Sequence, residues 1–270
     1  MSGRGRPCLR HAKVWRDAAS ELETTIEPPH RPLPAYYPGE SERRGWVRGI
    51  FSRTAVDYER VERAMAFGSG SWYRRRALVE AGLKAGMSVV DVGVGTGLVA
   101  TQAAGIVGDP TLVCGVDPSP GMVEAANVPP GVRLLAGSAE KLPLGDATAD
   151  FISMGYALRH VEDLATSFAE FHRVLRVGGR VCIMEITLPQ SALGRAVLKT
   201  YMRRIVPWMA GRVARHRDTP ELMRYYWDTI EACVPPASVL ASLAAAGFTA
   251  TERRVDLGIF SVYQARKAAH

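Results

Sequence analysis

The chain has 270 residues, 47% of them hydrophobic and 23% charged, an ordinary globular composition that suffices for one large α/β domain with a complete core. Its formal net charge of +7 favours anionic surfaces, and does not say whether these are membrane, nucleic acid or only solvent. No apolar run reaches the ~20 residues of a membrane span and no apolar signal core stands near the start, which argues against a spanning protein and predicts a soluble or peripheral one in the cytoplasm.

Residues 1 to about 45 are rich in Arg, Pro and Glu, and Glu27-Pro28-Pro29-His30-Arg31-Pro32-Leu33-Pro34 cannot be helix or central strand. They are expected to form a disordered extension, with at most a short helix between Lys13 and Glu23. Trp46 to about Ala81 has helical patterning interrupted near Gly68-Ser69-Gly70, a helical cap ahead of a sheet. Residues 86 to 190 alternate short apolar strands with helical spans, which predicts β-α-β-α units and a parallel sheet. The strands are read at Val89–Val92, Leu112–Asp117, Val132–Ala136, Phe151–Met154 and Val181–Ile186. Ser119 is the expected N-cap of the helix after the second strand. A helix from Leu164 to Leu175 follows the fourth and is expected to end at Gly178-Gly179. Residues 191 to 235 break the alternation as a helical insertion. A last helix, Ala237–Ala246, precedes two runs, Thr249–Val255 and Ile259–Ala265, joined at Leu257-Gly258 as an antiparallel hairpin. Cys8, Cys114, Cys182 and Cys233 are scattered, as reduced core residues would be. The histidines lack ligand spacing, so no protein-bound metal is expected.

The most informative stretch is Val89-Val90-Asp91-Val92-Gly93-Val94-Gly95-Thr96-Gly97. A buried parallel strand delivers this loop to the carboxyl edge of the sheet, where open α/β folds bind ligands, and glycines let a ligand approach the backbone. The spacing G-x-G-x-G is not the dinucleotide fingerprint. It resembles motif I of class I S-adenosylmethionine (SAM) methyltransferases. Asp117, at the end of the next strand, is suited to accept both ribose hydroxyls of a nucleoside. Pro118 to Met122 turns into a helix. Gly137-Ser138-Ala139-Glu140-Lys141-Leu142-Pro143 resembles G-D-A-E-x-L-P, with Ser138 in place of the acid that contacts the adenine amine. The resemblance implies a Rossmann-like seven-stranded sheet over residues 46–270. It also implies SAM as cofactor, held by Asp91, Gly93, Gly95, Thr96, Gly97, Asp117, Pro118, Met122, Ser138 and Ala139.

From about Ile50 to Lys267 the chain resembles the quinone C-methyltransferases of ubiquinone and menaquinone synthesis, the UbiE/MenG/COQ5 family. The residues that carry this are Ile50-Phe51-Ser52 through Asp57-Tyr58, Ala66-Phe67-Gly68, Ala157-Leu158-Arg159-His160-Val161, Arg173 through Gly179, and Tyr226-Trp227 through Thr229-Ile230. The L-R-x-V and Y-x-x-x-T-I segments are the narrower signals. The family's asparagine is His160 here, its glycine is Ala157, its phenylalanine before proline is Val234, and Glu59-Arg60-Val61 replaces M-N-D. These positions are expected to face the acceptor pocket, as in a divergent member with a shifted acceptor.

SAM brings an activated methyl, so the protein must align an acceptor carbon and make it nucleophilic. By analogy with the family, Arg159 polarises a water or stabilises a phenolate, since a guanidinium stays protonated. His160 is better suited to move a proton, its structural alternative being a capping or surface histidine. Tyr58 is suited to bond the acceptor hydroxyl or, alternatively, to fill the core. Glu185, ending the fifth strand, reads as a structural carboxylate.

The insertion carries Arg195, Lys199, Arg203, Arg204, Arg212, Arg215 and Arg217. Val197, Leu198, Tyr201, Met202, Ile205, Trp208 and Met209 form one helical face, and Pro207 is expected to kink it. It reads as a lid, or as an interfacial element that touches anionic lipid and admits a prenyl tail. Nucleic-acid binding ranks low, because Trp208 and Tyr201 fall on the apolar stripe. The leading expectation is a C-methyltransferase of a lipophilic, demethylated prenylated quinol. The alternatives are an O- or N-methyltransferase of a smaller aromatic, a non-catalytic scaffold of a quinone-synthesis complex, and a use of SAM other than methyl transfer. Homo-oligomerisation stays open.

Overall fold

The computed structural model describes residues 27–65 and 68–269. Residues 1–26, with the short helix expected between Lys13 and Glu23 and with Cys8, lie outside the described residues. The chain runs α1 (Glu40–Met65), α2 (Gly70–Glu80), β1 (Val89–Val92), α3 (Leu98–Val107), β2 (Val113–Asp117), α4 (Pro120–Glu124), β3 (Arg133–Ala136), β4 (Ala149–Gly155), α5 (Leu164–Val174) and β5 (Leu175–Ile186). The insertion follows as α6 (Ala192–Thr200), a π-helical turn (Tyr201–Ile205), α7 (Val206–Val213) and α8 (Thr219–Ala232), before α9 (Pro236–Ala245), β6 (Phe248–Asp256) and β7 (Phe260–Lys267). The seven strands form one sheet in the order β3-β2-β1-β4-β5-β7-β6. β1 pairs in parallel with β2 and with β4, while β7 runs antiparallel to β5 and β6. This is the fold of class I SAM methyltransferases.

Every residue of β1 and β2 is buried, because helices cover both faces of the parallel strands. Val90, Val92 and Val116 pack on one face with Phe168 and Phe171 of α5, while Val89, Val113 and Phe151 pack on the other with α2 and α3. A third cluster, with Ile50, Met202, Val206 and Trp227, joins α1 to the insertion over the carboxyl edge. α1 comes down on that edge because Gly121 has no side chain: a Cβ there would lie 2.5 Å from the Ser52 carbonyl oxygen. The Ser52 and Ser119 hydroxyls, 2.8 Å apart, tie the contact.

Three expectations are corrected. The domain begins before residue 46. The Glu27 amide donates to Asp163 Oδ2 (2.5 Å), the Val234 amide donates to the Pro29 carbonyl (2.8 Å), and Tyr36 Oη donates to Asp228 Oδ2 (2.6 Å). Prolines bar this strap from helix and central strand, but their carbonyls still accept hydrogen bonds. Gly178-Gly179 does not end α5. The helix stops at Val174 because the Ala147 and Thr148 amides take the Arg173 and Val174 carbonyls, and Lys267 Nζ takes that of His172. The two glycines lie within β5, where the pairing with β4 shifts register. The apolar face of the insertion is split. Leu198, Met202, Val206 and Ala210 are buried, whereas Val197, Ile205 and Trp208 are exposed. The π turn is the cause: its extra residue per turn rotates the following helix, so Val206 and Ala210 face inward and Trp208 outward. Pro207 follows directly on that turn inside a run that stays helical from Ala192 to Val213, where its missing amide removes one helical hydrogen bond.

Candidate active site

A cavity of about 470 Å³ opens at the carboxyl ends of β1, β2 and β4, roofed by α1. Gly93 has φ +68°, and a Cβ there would lie 2.6 Å from the Ala157 Cβ. The loop therefore requires glycine both for its left-handed turn and for its contact with the strand-four loop. The Gly93 and Val94 amides donate to the Val116 carbonyl (2.8 and 3.1 Å). Asp117 completes the cradle, accepting from the Gly95 amide at Oδ2 and the Ser119 amide at Oδ1, both at 2.8 Å. Burial pushes its carboxyl above the ordinary range against these two bonds. Lone pairs remain on both oxygens for a ligand's hydroxyls.

Gly93, Gly95, Asp117, Pro118, Met122, Ser138 and Ala139 line this cavity. Asp91, Thr96 and Gly97 stand behind it. Gly97, at φ +93°, caps α3 where a side chain would strike Val128. Asp91 is 1% exposed, and its Oδ1 accepts from Ser153 Oγ (2.7 Å). Its Oδ2 and the Thr96 hydroxyl are buried without a hydrogen-bond partner in the protein. Burial, reinforced by the Asp117 charge, pushes the Asp91 carboxyl up to about 7. An orphaned buried polar group costs ~1–3 kcal/mol, so two of them under a glycine loop fit the polar end of a ligand. With a carboxylate at the neighbouring strand end, the donor set suits a nucleoside that carries an amino acid. Ser138 offers a hydroxyl where the family pattern has an acid. Glu140, which accepts from the Glu162 amide (2.6 Å), lines the same cavity.

A second cavity of about 370 Å³ lies between α1, α2, the insertion and the β6–β7 turn. Its wall is apolar, with Val61, Met65, Leu198, Met202, Met223 and Phe260. Tyr58, Tyr156 and Tyr226 belong to the walls of both cavities. Tyr58 and Tyr226 share a hydroxyl–hydroxyl hydrogen bond of 2.7 Å, and burial pushes both phenols up. Tyr156 follows β4 with φ +60°, a strained conformation for an aromatic residue, fixed by its amide's bond to the Met184 carbonyl (2.8 Å). The Arg74 guanidinium, paired with Glu62 (2.7 Å), lies 5.7 Å from the Tyr156 ring centre. Sequence reasoning did not assign Tyr156 or Tyr226 to the site. Their signals were an aromatic directly before the A-L-R-H segment and the doubled tyrosine at 225–226.

The three expected catalytic residues are adjacent, but only two reach a cavity. Tyr58 does. His160 lines the first cavity, boxed by Phe51 (5.0 Å between ring centres), Tyr225 (5.5 Å, stacked) and Tyr226 (5.5 Å). Both its ring nitrogens are buried without a hydrogen-bond partner, so it is neither a capping nor a surface residue. Burial, and then the Arg159 charge, hold its pKa well below the ordinary value. Arg159 stands back from both cavities. It is 0% exposed, ion-paired with Glu185, donates from Nε to Thr229 Oγ1 (3.2 Å), and supports the Tyr226 ring at 5.1 Å. Glu185 is a structural carboxylate in that pairing. Val234 also faces neither cavity and packs on the core, whereas Ala157 and Val61 each line one.

The profile of the ubiE/COQ5 methyltransferase family matches residues 39–267. The ubiquinone/menaquinone biosynthesis C-methyltransferase UbiE of Rubrivivax gelatinosus is 31% identical over 233 residues, 85% of this chain and 90% of that protein. The demethylmenaquinone methyltransferase of Roseiflexus sp. is 30% identical over 248 residues, 90% of this chain and 98% of that one. Among solved structures, a SAM-dependent methyltransferase of Thermotoga maritima superposes with TM-score 0.57 at 24% identity, covering 81% of this chain and 98% of its own. A second, from Aquifex aeolicus, gives 0.55 at 20% identity, covering 78% and 98%. These two agree with the fold alone. With the family profile spanning the glycine loop, the tyrosine wall and the insertion, the chain belongs to the ubiE/COQ5 methyltransferase family and is an S-adenosylmethionine-dependent methyltransferase.

Proposed function

We propose that the chain methylates a ring carbon of a demethylated, prenylated quinol. The observation that carries this reading is the pair of cavities meeting at Tyr58, Tyr156 and Tyr226, one polar and glycine-lined, the other apolar. When bound, SAM supplies an activated methyl on a sulfonium, so the protein need not create an electrophile. Asp117 accepts the ribose hydroxyls, Asp91 and Thr96 meet the amino-acid end, and Pro118, Met122, Ser138 and Ala139 bound the base. Gly93 and Gly95 let the backbone come close, while Gly97 keeps the loop's turn into α3.

The acceptor ring stands at the tyrosine wall, with its tail in the apolar cavity. His160 takes the proton of the quinol hydroxyl on the unprotonated nitrogen of its neutral ring, which raises electron density at the neighbouring ring carbon. As the new C–C bond forms, the electron pair of the broken carbon–sulfur bond would return to the sulfur; the ring carbon then loses its own proton to water, His160 returns its proton to the ring oxygen, and aromaticity is restored with one proton released overall. Tyr58 bonds the acceptor oxygen and exchanges that bond with Tyr226. Arg159, locked by Glu185, acts through the Tyr226 ring it supports. Fixing two reactants in line contributes several kcal/mol, ~7–11 at the upper limit.

The acceptor arrives from a membrane surface. Trp72 (62% exposed) and Leu257 (87%) are at once part of the apolar cavity's wall and open to solvent. Leu193, Val197, Ile205 and Trp208 stand out among the arginines of the insertion, a pattern that suits an anionic lipid interface. Among the described residues no helix is long and apolar enough to cross a membrane.

The test is turnover by the purified chain of reduced demethylated quinones with and without a prenyl tail. The proposal expects C-methylated product and a KM for the acceptor about tenfold or more higher once two prenyl units are removed. Equal kcat/KM for tail-free aromatics, with the methyl on oxygen or nitrogen, would establish the O- or N-methyltransferase alternative instead.

A further inference from the structure

The peptide carbonyls on either side of His160 are held by one side chain from outside its loop. Arg43, in the first turn of α1, is 1% exposed. Its Nη2 donates to the Arg159 carbonyl (3.2 Å) and to the Val161 carbonyl (2.9 Å). The same nitrogen lies 3.1 Å from His30 Nε2. His30, also 1% exposed, has Nδ1 2.7 Å from the Arg31 carbonyl. That contact assigns the proton to Nδ1 and leaves Nε2 to accept from Arg43. His30 in turn pairs with Cys233 in an isolated bridge, beside the Pro29–Val234 bond. An unbroken line of contacts therefore runs from the proline-rich strap through His30 and Arg43 to the carbonyls of the two residues that flank His160.

We infer that Arg43, seated on His30, is a positioning residue for methyl transfer: it fixes the 159–161 backbone so that the His160 imidazole keeps its place in the wall of the first cavity, against Tyr226. The inference rests on the reading of His160 as the base. All three contacts are made by Nη2, whose two N–H groups are shared among them; the Lys ammonium ends one bond shorter on a flexible stem, so Arg43→Lys does not reach the same acceptors in one fixed geometry. The groups facing His160 are Arg159 on its own loop, Tyr225 and Tyr226 on α8, Arg43 and Tyr58 on α1, and His30 on the strap. The Arg44–Glu162 pair and Glu140 stand in the wall of the same cavity. Of these, Arg159, His30 and Arg43 work with burial to keep the imidazole neutral.

The experiment compares Arg43→Gln, Arg43→Lys and His30→Gln in the full chain, each with His160 and with His160→Asn. The acceptor is a reduced demethylated quinone with two prenyl units, and SAM affinity is measured by calorimetry. Arg43→Gln is expected to lower kcat about 30-fold or more, with SAM affinity and acceptor KM within about threefold, because alignment and not binding is lost. The acid limb of kcat/KM moves to higher pH, since a cation beside the imidazole is gone. Arg43→Lys keeps the limb in place while kcat still falls, and His30→Gln gives a smaller loss. In the His160→Asn background the loss from Arg43→Gln shrinks to about threefold or less. An unchanged kcat, an equal loss in both backgrounds, or SAM affinity falling in step with kcat would overturn the inference. If Arg43→Gln does not fold, unchanged kcat in both Arg43→Lys and His30→Gln overturns it equally. A silent His160→Asn with its acid limb intact removes the base reading itself, whereas a defective His160→Asn beside an indifferent Arg43→Gln removes this inference alone.

Discussion

Asp91 has a carboxyl pushed up to about 7 by burial, and its Oδ2 has no partner in the protein. An acid whose folded pKa lies above its unfolded value makes the folded state bind more protons. It therefore lowers the stability of the ligand-free protein as pH rises from about 4 towards 7. The ionised form is also the one that pairs with the cofactor's ammonium. SAM affinity is accordingly expected to rise between pH 6 and pH 8, and calorimetry on Asp91→Asn should give weak binding with no such pH dependence. His160 has the opposite sign. Its depressed pKa keeps it a neutral base below the usual histidine range, so the acid limb of kcat/KM lies below about 6.5. His160→Asn is expected to abolish that limb and to lower kcat by about 10²–10⁴. An unchanged pH profile would assign the proton transfer elsewhere. The two residues differ in how legible they were. Asp91 sits in a local motif, whereas the isolation of His160 in an aromatic box depends on Tyr225, Tyr226 and Phe51, all distant in sequence.

At the scale of the elements, α1 and the insertion convert an ordinary sheet edge into two adjoining cavities. The close approach of α1 to α4 hinges on Gly121. Gly121→Ala, which drives a Cβ against the Ser52 backbone, is expected to destabilise by about 1–3 kcal/mol and to weaken SAM binding, read by denaturant unfolding and calorimetry. The insertion teaches the limit of periodicity. Its apolar stripe was read as one helical face, but Val197 is already exposed ahead of the π turn at Tyr201–Ile205, and the phase shift there leaves Ile205 and Trp208 outside as well. No pattern of residue types announces a π turn, so the exposed face was not legible. Trp208→Ser combined with Val197→Ser is expected to reduce sedimentation with phosphatidylglycerol vesicles while sparing turnover of a tail-free acceptor. Equal sedimentation of variant and parent would place the lipid contact on another face.

At the scale of the whole molecule, the parallel sheet with its antiparallel terminal hairpin follows from signals that lie close together along the chain, the apolar strands and the turns between them. The rest depended on contacts between distant segments. Arg159 was expected at the acceptor, but Glu185 on the next strand draws it into a buried pair. The strap at 27–39 was expected to be loose because its prolines forbid regular structure, yet its carbonyls and side chains bind α5, α8 and α9. The central claim is methyl transfer to a lipophilic quinol, and it is tested most directly by mass spectrometry of lipid quinones. The cells are blocked at quinone C-methylation and express either this chain or its Asp117→Ala variant. The account predicts a quinone heavier by one methylene with the chain and none with the variant. Unchanged quinones, in cells whose purified chain binds SAM, would contradict it.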